Sequence, residues 1–194
     1  MVRRITGALL LGVTTMSMPV SAAESSTEAQ PAQNRAEQIA ESFFDAARLG
    51  RNDILDPLIT AGAPVDARDA KGFTALILAA YNDHGDTVQL LLDKGADPCL
   101  GDAAGNTAQM GMAFRGFNQI AAQLLKTSCD VNTRNEKGQT AIMMAALFGR
   151  TAQVKMLVDA GADPSIADDA GNTATSLAKQ QGNDELVRLL EGLK

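Results

Sequence analysis

A 33-residue period governs most of this chain. Counting from Asp69, blocks begin at Asp102, Asn135 and Asp168. Their openings read DAKGFTALILAA, DAAGNTAQMGMA, NEKGQTAIMMAA and DDAGNTATSLAK. Glycine returns at Gly72, Gly105, Gly138 and Gly171, and Thr-Ala at 74–75, 107–108, 140–141 and 173–174. The later halves also agree, as in TVQLLLDKGADP and AQVKMLVDAGADP. No block carries enough apolar residues to close a core alone. A fixed period of this length therefore predicts a stack in which each block is completed by its neighbours.

The blocks run 69–101, 102–134, 135–167 and 168–194, the last expected to cap the C-terminal end. One step back, residues 36–68 fit less cleanly, as an N-terminal capping unit. There Ala46-Ala47 anticipate Ala79-Ala80, and Gly62-Ala63 anticipate Gly95-Ala96.

Within a block, Thr74 and its equivalents can cap a first helix through the hydroxyl. Small residues such as Ala79 and Ala80 let paired helices approach closely. A second helix is expected near Asp86–Lys94, with Asp86 at the positive end of its dipole. Gly95 ends it in a left-handed conformation. The recurring Asp69, Asp102 and Asp168 supply the side-chain acceptor that a tight turn requires.

The pattern G-x-T-P-L-H-x-A-A followed by L-L-x-x-G-A-D every 33 residues is that of the ankyrin repeat, and residues 36–194 resemble that family. The resemblance implies an all-α solenoid of about five helix-turn-helix units joined by short hairpin loops. Departures are present. The family proline is Ala at 75, 108, 141 and 174, and the family histidine is Ile77, Met110, Met143 and Ser176. Loss of that histidine implies drier packing between blocks.

The first residues have another character. Arg3 and Arg4 precede an apolar run from Ile5 to about Val13, and small residues close the segment at Val20-Ser21-Ala22-Ala23. This matches a secretory signal peptide over residues 1–23, too short in its apolar part to span a bilayer. Residues 24–35 have no apolar periodicity and are expected to be a disordered linker.

The charge excludes some partners. A formal net charge of -6 and a pI of about 4.7 argue against electrostatic binding to nucleic acid or to an anionic membrane surface.

In ankyrin-like folds the hairpin tips and the ends of the first helices line a concave face. Two ladders of positions follow from the resemblance: Arg48, Tyr81, Phe114, Leu147, Gln180, and Leu49, Asn82, Arg115, Phe148, Gln181. The chain holds six Phe, one Tyr and no Trp. Phe73, Tyr81, Phe114 and Phe148 all fall on that side. An apolar row beside Arg115 is the signature of a contact site, with Arg115 and Tyr81 as its expected anchors and Arg48 and Leu147 on the same ladder. The competing reading is that the rings fold back over the seams between blocks.

Catalysis has little support. The single histidine, His84, lies in the break between two helices, where a loop-tying role is expected. No nucleophile-elbow motif or phosphate-binding glycine loop accompanies it. Met110, Met112, Met143, Met144 and Met156 could ligate copper or haem, but they fall where the inner helices pack and Met fills gaps. No cofactor and no metal is expected. Cys99 and Cys129 bridge only if their Cα atoms lie within about 7 Å, and the spacing leaves open a bridge or two inert thiols.

The expectation is a non-catalytic, exported binding protein of the periplasm whose partner is another protein. The small exported ankyrin proteins of Gram-negative bacteria that the chain resembles include some associated with catalases and peroxide defence. A small-molecule or haem carrier is the rival reading.

Overall fold

The computed structural model describes residues 25–192. The expected signal peptide, residues 1–23, lies outside the described residues. Ten helices and no strands occur among the described residues. Contact divides the chain into two units after Ala36, and the second, from Glu37, contains the repeats.

α1 (Ser25–Arg48) corrects one expectation, because it carries helix through residues 25–35. That stretch lacks an apolar face, which says only that it has nothing to bury. Its Ala, Glu and Gln are good helix formers regardless. α2 (Asn52–Thr60) follows α1 across a short turn. The later blocks each hold a pair: α3 (Ala75–Tyr81) with α4 (Gly85–Asp93), α5 (Ala108–Arg115) with α6 (Asn118–Leu124), α7 (Ala141–Leu147) with α8 (Thr151–Asp159), and α9 (Ala174–Gln180) with α10 (Asp184–Glu191).

First helices stack on first helices, α3 on α5, α5 on α7 and α7 on α9. Second helices form a parallel row, α4 to α6 to α8. The close approach rests on Ala79, Ala80, Ala113, Ala145, Ala146 and Ala178, all fully buried. Larger side chains such as Leu91, Ile120, Leu157 and Leu186 fill the space between the rows. Each contributes about 1.5–3 kcal/mol by leaving water. Ile77, Met110 and Met143, at the family's histidine position, are buried among them, so apolar packing does replace a polar tie there.

The helix starts follow the predicted chemistry, with one exception. The hydroxyls of Thr74, Thr107 and Thr173 accept the N–H of Ile77, Met110 and Ser176, and Ser176 returns a bond to complete a capping box. Thr140 makes no such bond, and its buried hydroxyl has no partner. Gly95 follows α4 with φ of 88°, which lets the Ala96 N–H close back on the Leu91 carbonyl at 2.9 Å.

The hairpins are built alike. The Asp69 carboxylate accepts the N–H groups of Lys71 and Phe73, both at 2.9 Å. Asp102, Asn135 and Asp168 do the same in their own blocks. Neighbouring tips then join, the Glu136 N–H to the Ala104 carbonyl and the Asp169 N–H to the Lys137 carbonyl, each at 3.1 Å. Arg68 and Arg134 reach across to carbonyls of the next block, at Gly101 and Ala167.

Candidate functional site

The ends of the first helices carry the side chains of interest. Phe114 is the penultimate residue of α5, and Phe148 directly follows α7. Both point away from the packed row, because Ala113 and Ala146 occupy the inward register. Their rings meet edge to face, with centroids 4.7 Å apart and planes at 88°. Phe114 remains 42% exposed and Phe148 40%. An edge-to-face pair contributes about 0.5–1.5 kcal/mol beyond burial, so the pair is fixed in shape yet open to solvent.

Phe73 and Tyr81 sit differently. Their centroids are 6.5 Å apart, and both rings are half-buried against the core. The Tyr81 ring lies directly over Gly111 of the next block, leaving no room for a β-carbon there. Burial raises the Tyr81 hydroxyl above its ordinary pKa, Asp102 adds to that, and Arg115 opposes it. The two readings of the aromatic row thus divide: Phe73 and Tyr81 cover a seam, while Phe114 and Phe148 stand free.

Three further positions divide the same way. Arg48 is committed to carboxylates, with Asp45 at 2.7 Å and Asp69 at 2.8 Å. It therefore ties the end of α1 to the following hairpin. Leu147 is partly buried against the core. Arg115 is exposed and lies over the Phe117 ring, 5.0 Å from its centroid.

Arg150, not among the residues singled out from sequence, completes the set. It is exposed and donates to the Phe114 carbonyl at 3.1 Å. His84 makes the equivalent tie between earlier blocks, with Nε2 2.9 Å from the Arg48 carbonyl oxygen. A carbonyl can only accept, so Nε2 carries the proton. Both ties span 36 residues. Counting two blocks forward from His84 reaches Arg150, and that step is the signal that finds it.

Neither Arg115 nor Arg150 has a carboxylate within ion-pair distance among the described residues. Arg150 thus meets the backbone of Phe114, and Arg115 follows Phe114 in the chain, in a protein of net negative charge. An apolar surface with cationic edges can receive an apolar side chain flanked by carboxylates.

The remaining candidates are structural. Met110, Met112 and Met143 are buried, and Met144 and Met156 pack against the core. Among the described residues no cluster of His, Cys, Asp and Glu has metal-binding geometry. Cys99 and Cys129 are paired, with Cα atoms 5.3 Å apart. A cavity of about 380 Å³ lies in the same region, lined by Gln109, Met110, Leu124, Cys129 and Val131 among others. No helix of the described residues is long and apolar enough to cross a membrane.

Stacked helix pairs and hairpin tips joined edge to edge define a helical repeat solenoid. The family model for ankyrin repeats (3 copies) matches residues 43–111 and 109–192. The chain belongs to the ankyrin-repeat family. It is similar to an ankyrin repeat protein of Pseudomonas aeruginosa, 39% identical over 54 residues. That match covers 28% of this chain and about a third (32%) of the relative's length.

Proposed function

We propose that the chain is a non-catalytic binding module for another protein, with Phe114 and Phe148 at the centre of its contact site. Ankyrin repeats generally act as protein–protein interaction modules. The observation that carries the finer reading is the exposed edge-to-face pair, with two arginines nearby in the chain that have no ion-pair partner among the described residues. Aromatic and arginine side chains dominate binding energy where they are desolvated by a partner. Phe73, Tyr81 and Leu147 pack against the core on the same side, and Arg48 ties the end of α1 to the next hairpin.

The partner that fits presents an apolar side chain with carboxylates beside it. The amino-terminal pattern of positive start, apolar run and small-residue end supports export to the periplasm. In that compartment a catalase or another peroxide-defence enzyme is the partner class suggested by the resemblance to small exported ankyrin proteins. The buried methionines weigh against a haem carrier, since their thioethers are used in packing.

The test is titration of the purified chain against a catalase from the same cell, followed at low and high salt. Saturable binding that weakens with salt and is lost in Arg115→Glu/Arg150→Glu supports the whole reading. Binding unaffected by those changes removes the arginine border. Absorbance beyond the protein band in the purified chain would instead favour the carrier.

A further inference from the structure

At two junctions between successive blocks the exit loops share a hydrogen bond at a fixed spacing. Asp66 Oδ1 accepts the Asp97 N–H at 2.9 Å. Two blocks on, Asn132 Oδ1 accepts the Asp163 N–H at 2.8 Å. In both, the donor lies 31 residues after the acceptor. The position midway between Asp66 and Asn132 is Cys99, which offers no oxygen to the corresponding donor, Asp130. Cys99 is bonded instead to Cys129, the residue just before Asp130.

The same block has lost a second fastening. Glycine follows the second helix in the neighbouring blocks, at Gly95 and Gly161. The residue in that place is Ser128, and it does not adopt the left-handed conformation. α4 and α8 run to Asp93 and Asp159, but α6 stops at Leu124, two residues short of the equivalent position. Ala96 and Ala162 close back on Leu91 and Leu157, each at 2.9 Å. Cys129 replaces that alanine, and the chain turns earlier, through the Thr127 N–H on Leu124 at 3.1 Å. The cavity lined by Leu124, Thr127 and Cys129 opens beside this early exit.

We propose that the Cys99–Cys129 bridge stands in for the missing seam hydrogen bond, making the coupling of blocks 69–101 and 102–134 depend on thiol redox state. Cys99 is exposed, so a dithiol reductant can reach it. One thiolate attacks the Cys99 sulfur, the S–S bond breaks, and Cys129 leaves as a thiolate that takes a proton. The second thiol of the reductant then attacks the mixed disulfide, releasing Cys99 and closing the reductant's own disulfide. The protein gains two electrons and two protons, and the junction of these two loops is left with neither the bridge nor the hydrogen bond found at the other junctions. α5, which bears Phe114 and Arg115, belongs to the block on the far side of that junction. The proposal stands on loop geometry alone and does not need the binding reading.

The repeat itself supplies the control. Cys99→Asn copies Asn132, and Cys129→Ala copies Ala96 and Ala162. The full chain is melted with and without dithiothreitol, alongside Cys99→Asn/Cys129→Ala and Cys99→Ala/Cys129→Ala. Reduction is expected to lower the melting temperature of the natural chain by about 5–10 °C. The Ala/Ala variant should melt with the reduced chain, and the Asn/Ala variant between the two, unmoved by reductant. Amide exchange at Asp130 should speed by about tenfold on reduction and slow again in the Asn/Ala variant. An unchanged melt and unchanged exchange on reduction overturn the proposal. So does an Asn/Ala variant that matches Ala/Ala in both measurements, because the seam position would then have no need of an acceptor.

Discussion

The ring of Tyr81 covers Gly111 of the following block with no space for a β-carbon between them. Gly111 lies inside α5, where alanine would ordinarily favour the helix by about 1 kcal/mol. Overpacking against the ring outweighs that gain. Gly111→Ala is expected to destabilise the chain by about 1–3 kcal/mol in urea unfolding. Adding Tyr81→Ala should recover some of the loss. Tyr81 is the sole tyrosine and there is no Trp, so its own fluorescence reports the displacement. Equal losses in single and double variants would mean the ring does not rest there.

Asp83 holds φ of 63° at a position occupied by Gly50, Gly116, Gly149 and Gly182 in the other units. A left-handed conformation strains any L-residue, though Asp tolerates it better than most. Asp83→Gly is expected to stabilise the array by about 0.5–1 kcal/mol, read as a higher urea midpoint. A lower midpoint would show that the carboxylate contributes more than the strain removes.

Gln153 is fully buried where the neighbouring blocks have Ile120 and Leu186, and its amide has no hydrogen-bond partner. An unsatisfied buried amide costs about 1–3 kcal/mol. Gln153→Leu should return an increment of that order in thermal or chemical unfolding. No gain would indicate that the amide is satisfied in solution.

The Asp168 carboxylate is held below its ordinary pKa, first by the Asn172 N–H and then by the Asn172 side chain and the Ala170 N–H. Its folded pKa lies below its unfolded one. The stabilisation is therefore complete above the unfolded value, about 4, and is lost as pH falls through the folded value. Asn135 performs the same turn without a charge. Asp168→Asn should accordingly match the natural chain at about pH 7 and lose less stability between about pH 5 and pH 3. Parallel acid curves for the two would assign that loss to other carboxylates.

The period, the threonine caps and the hairpin acceptors were legible in the sequence because each is local and recurs. Two exceptions had no local signal. α1 begins earlier than apolar periodicity can reveal, and the Thr140 hydroxyl is buried without its cap although the residue fits the motif. Side-chain direction on the contact face was less legible still. Tyr81 and Phe114 occupy equivalent positions, yet one is half-buried and the other exposed. The difference lies in the next block, where Tyr81 finds bare backbone at Gly111 and the equivalent residue for Phe114 is Met144. Burial of one ring is decided by the size of a residue in the next block, which a column of equivalent positions does not show. Arg150 was missed because its function belongs to the His84 column and not to the aromatic one.

The central claim is that Phe114 and Phe148 are kept for a partner and not for the fold. The direct measurement sets Phe114→Ala/Phe148→Ala against the natural chain in two assays, unfolding by urea and retention of the bound partner. Unfolding should shift by no more than about 2 kcal/mol, since both rings are already partly wet, while affinity should fall by about 2–4 kcal/mol, roughly thirty- to a thousandfold. A variant that unfolds readily, or one that keeps its partner at full affinity, would contradict the account.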